Sequence, residues 1–159
     1  MTGYLYYKTS DYVLSAKKHN SSIGDGLFSI KDFCKGDIAA YFNGEFIKNT
    51  EANLRTANGR GGYMIYVKKN LVLDCYSMCA NGLCLASKAN SPRGVVHATK
   101  GTKGCPNSKL IVTYGPKYNK RKERIPIEKR VKVSLKITTF VPHNTEILYT
   151  YGTQYMLYK

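Results

Sequence analysis

The sequence predicts a mostly β fold made of several small β-sheets with few short helices. Short apolar and aromatic runs recur along the chain, and many alternate with polar residues, as half-buried strands do. Turn-forming glycines and asparagines separate these runs at short intervals, and helical periodicity is scarce. The chain has 159 residues, which is enough for one domain with its own core.

The expected strands follow one another closely along the chain. Their ranges are 4–13, 27–30, 38–42, 45–47, 63–67, 71–74, 110–114, 131–140 and 146–151. Turns are expected at Gly24-Asp25-Gly26, at Lys35-Gly36-Asp37, at Asn43-Gly44 and at Lys68-Lys69-Asn70. Asn43-Gly44 has the composition of a tight hairpin.

One short helix is expected over residues 50–57. Asn49 or Thr50 can cap its N-terminus, and the glycines between residues 59 and 62 end it. Residues 79–89 are expected to be helical or irregular. Residues 90–107, with three glycines and two prolines, are expected to form a loop.

Positive charge is concentrated in the second half of the chain, within a formal net charge of +15. Residues 1–75 carry ten Lys and Arg against seven Asp and Glu, or +3, whereas residues 76–159 carry fifteen against three, or +12. Such a field favours a polyanion, and nucleic acid is the commonest one. A solvated lysine-rich loop is the alternative interpretation. The predicted nucleic-acid contacts are Lys117, Lys120, Arg121, Lys122, Arg124, Lys129 and Arg130.

The five cysteines indicate reduced structural thiols, and we predict no metal site. An odd number is a poor disulfide framework, and the spacing of Cys75, Cys79 and Cys84 lacks the CxxC pairs of common zinc sites. The sequence has no run of eighteen apolar residues, and residues 1–20 lack the apolar region of a secretory leader. We therefore expect an intracellular protein with no membrane association.

The last expected strand contains Tyr149-Thr150-Tyr151 and ends at Gly152. Residues two apart in a strand share a face, so this pattern predicts two phenol hydroxyls side by side. Tyrosines that only pack a half-buried sheet give the same pattern.

Four short motifs occur in order along residues 20–158. The first is Ile23-Gly24-Asp25-Gly26-Leu27-Phe28, followed by residues 35–38 and 41–45; the second is Leu71-Val72-Leu73-Asp74-Cys75; the third is Ala89-Asn90-Ser91 with Cys105-Pro106-Asn107; the fourth is residues 146–152. Together they resemble the GxGxF, IDA, NHSCxPN and EELxYDYG motifs of the SET-domain protein lysine methyltransferases. The chain is similar to compact viral members that lack flanking zinc-binding and CxC modules.

The resemblance implies a SET fold, in which the C-terminal segment passes through a loop as a pseudoknot. Residues 1–20 are then an N-terminal flank packed on the domain, and residues 21–159 are the SET domain with a basic insertion around 116–130. It also implies an S-adenosylmethionine-dependent protein lysine methyltransferase that acts on a histone tail in the nucleus.

By the same resemblance, Tyr151 is the catalytic tyrosine, acting with Tyr149 and Tyr63. The substrate channel is lined by Tyr63, Tyr149 and Tyr155, with Tyr66 an alternative to Tyr63 and Tyr158 an alternative to Tyr155. The cofactor-binding residues are Gly24, Asp25, Gly26, Asn90, Ser91 and Tyr151. A second hydroxyl at Tyr149 occupies space that a methylated amine needs, so we expect a bias toward monomethylation. Asp74 and Glu146 are expected to be structural, bridging backbone groups around the threaded C-terminus.

Charge constrains the substrate, because a basic tail is repelled by a basic protein. We expect the peptide groove to use some of the acidic residues Asp11, Asp25, Asp32, Asp37, Glu45 and Glu51, and the basic segment to face nucleosomal DNA.

Three alternatives remain: a SET-like binding module of weak activity, a basic β-rich nucleic-acid-binding domain without enzymatic activity, and an enzyme acting on a cytosolic basic protein. The protein is expected to be a monomer or a homodimer.

Overall fold

The structure is a computed structural model that describes residues 3–7, 13–17, 25–89 and 106–150. These residues form a mostly β fold with few short helices, as predicted. The strands are β1 (Tyr4–Leu5), β2 (Val13–Lys17), β3 (Asp25–Ser29), β4 (Ile38–Tyr41), β5 (Gly44–Ile47), β6 (Met64–Lys68), β7 (Leu71–Asp74), β8 (Ser108–Tyr114), β9 (Val131–Ile137) and β10 (Tyr149–Thr150). The helices are α1 (Asn49–Ala57), α2 (Tyr76–Ala80) and α3 (Ile127–Arg130), with 3₁₀ turns at Gly61–Tyr63 and Leu85–Lys88.

The first sheet has the strand order β1-β5-β7-β6, and all of its pairs are antiparallel. Helix α1 is held on this sheet by Arg55, whose Nη1 donates to Glu45 and to Asp74, each at 2.8 Å, and whose Nε donates to Glu51 at 3.1 Å. The hydrogen bond to Glu45 is the main reason that the pKa of Arg55 is raised. Asp74 is buried, so these contacts compensate a carboxylate that is removed from water.

The second sheet has the order β10-β8-β9-β4, in which β10 runs parallel to β8 and the other pairs are antiparallel. Strands β8 and β9 form its longest ladder, from Ser108 opposite Ile137 to Tyr114 opposite Val131. A third sheet is the two-stranded hairpin of β2 and β3. One large core fills the space between these sheets, and a smaller cluster of Ile47, Ala52, Met64 and Val72 lies beneath α1.

The predicted hairpin turn at Asn43-Gly44 is wrong, because β4 and β5 belong to different sheets. Asn43 is fully buried and takes the place of a strand partner: its Nδ2 donates to the carbonyls of Tyr7 and Leu83, each at 2.8 Å, and its Oδ1 accepts from the amide of Tyr7 at 2.6 Å. Gly44 starts β5 against Asp74, whose carbonyl leaves no room for a Cβ. Asn43 and Gly44, which are residue types that favour turns, here form a buried connection between the two sheets.

Two further local expectations are corrected. Asp25 and Gly26 do not lie in a turn, since they open β3 and pair with Lys17 and Ala16; Gly24 lies outside the described residues. Helix α1 begins after Lys48, which makes no side-chain capping bond, so neither Asn49 nor Thr50 is the N-cap. The turn expected at residues 68–70 is confirmed: it joins β6 to β7, and Asn70 takes a positive φ of 57° there.

No helix among the described residues is long and apolar enough to cross a bilayer. The longest, α1, has nine residues, whereas a membrane-spanning helix needs about twenty.

Replacing Gly44 with alanine is expected to lower the free energy of unfolding by about 1–3 kcal/mol, because the new methyl group overlaps the backbone of Asp74. Urea denaturation of both proteins measures the change. Gly62→Ala is the matched control, since nothing lies within 4 Å of a Cβ at that position. Equal losses of stability in the two variants would contradict this account of Gly44.

Candidate active site

The segment 144–150 lies between β3 and the start of β8 and is hydrogen-bonded on both sides. Toward β3, the amide of Ile147 donates to the carbonyl of Leu27 at 2.8 Å, and the amide of Ser29 donates to the carbonyl of Thr145 at 3.0 Å. Toward β8, the amides of Asn107 and Ser108 both donate to the carbonyl of Leu148 at 3.0 Å. This C-terminal segment therefore joins the two-stranded hairpin to the second sheet.

Two side chains at the start of β8 hold the C-terminal segment in register. Asn107 accepts from the amide of Leu148 with Oδ1 and donates from Nδ2 to the carbonyl of Glu146, each at 2.9 Å. The hydroxyl of Ser108 donates to the carbonyl of Leu148 at 2.9 Å. An asparagine that bonds both an amide and a carbonyl of another segment imitates a strand partner, so the residue type specifies this pairing.

Tyr149 is the first residue of β10 and is 7% exposed. Its ring lies 6.3 Å from that of Phe42, centroid to centroid, at an interplanar angle of 55°, which is a favourable tilted arrangement. Phe42 comes directly before the buried crossing at Asn43. The position of Tyr149 thus depends both on the C-terminal segment and on the link between the two large sheets.

A second aromatic group surrounds Tyr63 at the end of the first sheet. The rings of Tyr63 and Tyr76 meet edge to face at 5.7 Å, and the guanidinium of Arg60 lies 4.5 Å from the Tyr76 ring centroid. The carbonyl of Tyr63 accepts from the amide of Cys75 at 2.9 Å, which ties the 3₁₀ turn to the end of β7. Both tyrosines are more than a third exposed, so this group is an open aromatic surface.

Tyr63 contacts Tyr76 of α2, whereas Tyr149 of β10 contacts Phe42, which lies between β4 and β5. Tyr66, the alternative to Tyr63, is half-buried and packs on the small cluster beneath α1. Tyr63 is the more accessible of the two. Arg60 and Tyr76 are not singled out by the sequence, because their stacking joins the start of the 3₁₀ turn to the start of α2 and leaves no periodic signal.

Three thiols lie in the core close to the Asn43 crossing. Cys75, Cys79 and Cys84 are buried free cysteines. Burial raises the pKa of Cys75, whereas the hydrogen bond from Cys75 lowers the pKa of Cys84 to about 6 against the opposing effect of burial. Cys84 is accordingly a good acceptor for the amide of Asn43, at 3.3 Å, and it lies 3.1 Å from the Ser87 hydroxyl. Among the described residues, no group of three His, Cys, Asp or Glu side chains is placed to hold a metal ion.

Several predicted site residues lie outside the described residues, and their placement stays a prediction. They are Gly24, Asn90, Ser91, Tyr151 and Tyr155. Of the predicted cofactor-binding set, Asp25 and Gly26 lie at the start of β3. Asp74 has a structural role, but its partners are Arg55, Arg60 and the amide of Tyr76 rather than the C-terminal backbone.

Four of the six acidic residues expected near a peptide groove already have structural partners. Glu45 and Glu51 are bound by Arg55, Asp37 accepts from the amide of Cys34 at 2.8 Å, and Asp32 accepts from the amide of His143 at 2.7 Å. Asp11 and the side chain of Asp25 lie outside the described residues. Arg55 therefore compensates the charge of Glu45 and Glu51, whereas Asp32 and Asp37 bond only neutral amides and keep their negative charge.

The predicted nucleic-acid contacts all lie in residues 115–130, the connection between β8 and β9, which we call the basic hairpin. It carries seven cationic residues, those at 117, 120, 121, 122, 124, 129 and 130, against Glu123 and Glu128, a net charge of +5. Residues 117–124 are all exposed. At its base, burial raises the pKa of Tyr114, and the nearby charge of Arg130 acts in the opposite direction.

The chain was also compared with known proteins. No family model matches it, and no curated protein matches it.

Replacing Asn107 with alanine is expected to lower the free energy of unfolding by about 1–3 kcal/mol, because it removes two hydrogen bonds to a partly buried backbone. Amide hydrogen exchange at Leu148 should accelerate at the same time. Asn81→Ala, at an exposed position after α2, is the control. Unchanged exchange at Leu148 in the Asn107 variant would show that these bonds do not hold the segment.

Proposed function

We propose that the protein is an S-adenosylmethionine-dependent protein lysine methyltransferase of the SET type. The supporting observation is that the fourth motif contacts the first and the third, about a hundred and about forty residues away, and that the second pairs with the stretch following the first. Leu27 of the first motif accepts from Ile147 of the fourth, and Asn107 of the third bonds Leu148 of the fourth. Glu45, in the stretch that follows the first motif, pairs with Asp74 of the second. Motifs that meet in space are what a shared site requires.

Lysine methylation requires a neutral amine, and deprotonating a lysine at neutral pH costs about 4–5 kcal/mol. A dry, cation-repelling channel lowers the pKa of the amine, and alignment of the reacting atoms then supplies much of the rate. Tyr149 is buried against Phe42 and follows a segment bonded on both sides, so it is a rigid wall of the proposed channel. Tyr151, two residues further on, is proposed to orient the amine with its hydroxyl.

S-adenosylmethionine, when bound, supplies the methyl group. In the proposal it is held by Gly24, Asp25, Gly26, Asn90, Ser91 and Tyr151. The chemistry of the described residues around Tyr63 fits its charged methionine end: Nε of Arg60 is buried and has no hydrogen-bond partner among the described residues, which suits a carboxylate. Tyr76 stacks on the Arg60 guanidinium, and the exposed ring of Tyr63 meets Tyr76 edge to face.

The proposed substrate is a lysine in a basic protein tail, such as that of a histone in the nucleus. An extended tail needs an open edge, and the aromatic surface of Tyr63 and Tyr76 provides apolar area for the stem of a lysine or its neighbours. The proposal includes the pseudoknot, in which the chain between residues 89 and 106 encloses the C-terminal segment.

Replacing Tyr151 with phenylalanine is expected to lower the rate of methyl transfer at least tenfold, because the hydroxyl that orients the amine is lost. The assay uses labelled S-adenosylmethionine with whole nucleosomes, and mass spectrometry locates the methyl groups. Tyr4→Phe, at an exposed residue of β1, is the control. Transfer that is equally fast in the Tyr151 variant would overturn its proposed role, and no transfer by the folded wild-type protein would overturn the proposed function.

Replacing Tyr149 with phenylalanine is expected to shift the product from monomethyl- toward dimethyl- and trimethyl-lysine. The physical reason is the space that its hydroxyl, or a water held by it, denies to a methylated amine. The product ratio at completion, measured by mass spectrometry on the same tail, tests this. A ratio identical to that of the wild type would exclude Tyr149 from control of the product.

A further inference from the structure

The basic hairpin is ordered by its own hydrogen bonds before any partner binds. The amide of Gly115 donates to the carbonyl of Arg130 at 2.6 Å, the amide of Ile125 donates to the carbonyl of Lys117 at 2.8 Å, and Tyr118 bridges Arg124. At the tip, Oδ1 of Asn119 accepts from the amides of Arg121 and Glu123, each at 2.9 Å. The tip is thus a capped turn rather than a loose loop, which reduces the conformational entropy lost on binding.

The charge of this hairpin is uncompensated within the described structure. None of its seven cations makes an ion pair with a described carboxylate, whereas Arg55 and Arg60 on the first sheet are both paired. Its base is anchored by Ile127 of α3, which packs against the core, so the cations are fixed to the domain. Six exposed, unpaired cations on a turn fixed by its own hydrogen bonds are suited to a dense line of negative charge.

Duplex DNA suits the composition of this element better than a single strand does. Its exposed cations, at 117, 120, 121, 122, 124 and 129, are suited to the two phosphate lines of a duplex. Binding of single strands relies on a row of aromatic platforms. Within residues 115–130 the only aromatic residue is Tyr118.

The hairpin and the candidate active site are at opposite ends of one ladder. Ser108 begins β8 next to β10, and Tyr114 ends β8 at the hairpin. Six residue steps separate them, which at about 3.3 Å per residue is roughly 20 Å. Because β8 is paired with β9 along this whole length, the separation does not vary freely.

We propose that the basic hairpin docks the protein on the phosphate backbone of duplex DNA, independently of sequence. Resting on the proposed function, we further infer that the site acts on a basic tail of a protein bound to the same DNA. The target lysine then lies at least about six extended residues from the point where the tail leaves the duplex, since six such residues span roughly 20 Å. Docking also reduces the repulsion between the basic protein and a basic tail, because DNA neutralises the charge of the hairpin and brings the tail close.

The first experiment measures binding of fluorescein-labelled duplex DNA by anisotropy over a series of NaCl concentrations. The hairpin variant is Lys120→Gln/Arg121→Gln/Arg124→Gln; Lys122 is left unchanged because it holds the turn with a φ of 63°. The matched control is Lys48→Gln/Lys68→Gln/Lys69→Gln, three exposed cations on the first sheet and its flanks that remove the same charge. Thermal melting checks that both variants are folded.

We expect the hairpin variant to raise the Kd at least tenfold and to reduce the slope of log K against log salt by roughly 2–3, as three lost phosphate contacts should. The control should raise the Kd less than about threefold. Equal effects of the two variants would overturn the proposal, because binding would then follow net charge alone. Tighter binding of a single strand or of duplex RNA than of duplex DNA would also overturn it, as would a strong preference between two unrelated duplex sequences.

The second experiment compares methylation rates on whole nucleosomes and on the free tail peptide. The nucleosome-to-peptide ratio should exceed one for the wild type and fall at least tenfold in the hairpin variant. An unchanged ratio would overturn the link between docking and substrate choice. The two proposals fail separately: DNA binding without methylation of any substrate leaves docking standing and removes the enzyme, whereas methylation without hairpin-dependent DNA binding removes docking alone.

Discussion

The fold and the candidate site both depend on the insertion of segment 144–150 between two other strands, where Ile147, Leu148 and Tyr149 are buried. Inside a protein every backbone amide and carbonyl needs a partner, and here each edge of the segment finds one. The carbonyl of Leu148 accepts from two amides and from the hydroxyl of Ser108, and Ile147 is bonded to Leu27 on the other edge. This arrangement joins the β2–β3 hairpin to the second sheet, and it fixes Tyr149 in the core at the point where the proposed channel begins.

A second constraint is the crossing at Asn43-Gly44, where the chain passes from the second sheet to the first. Crossing at a buried point leaves strand edges that need hydrogen bonds, and the side chain of Asn43 supplies three of them. Gly44 allows β5 to approach Asp74 closely. The same crossing positions Phe42 against Tyr149. The packing around Tyr149 and the connection between the two sheets therefore depend on the same short stretch of chain.

The electrostatics of the protein separate into a compensated part and an open part. On the first sheet, arginines and carboxylates bind each other, and Asp74 is buried with two guanidinium partners. In the basic hairpin six of the seven cations, all but Arg130, are exposed, and none is paired with a described carboxylate. In the proposed function, a polyanion shared with the basic substrate would bring the two together. The hairpin and the proposed site would then act together, linked by the rigid pair of β8 and β9.

Local signals in the sequence predicted much of the fold: the β-rich class, the helix at residues 50–57 and the turn at Asn70 all follow from residue type and alternation, which act over a few neighbours. The cations at 117–130 likewise marked this segment as a basic insertion by composition alone. The sequence failed at Asn43-Gly44 and at Asp25-Gly26, where residues that favour turns were used inside sheets. Long-range pairing decided those positions, as it decided the pairing of Arg60 with Tyr76 and of Tyr149 with Phe42. Such contacts depend on which distant strands become neighbours, and only the tertiary structure specifies that, because the free energy of burial is shared among residues far apart in the chain.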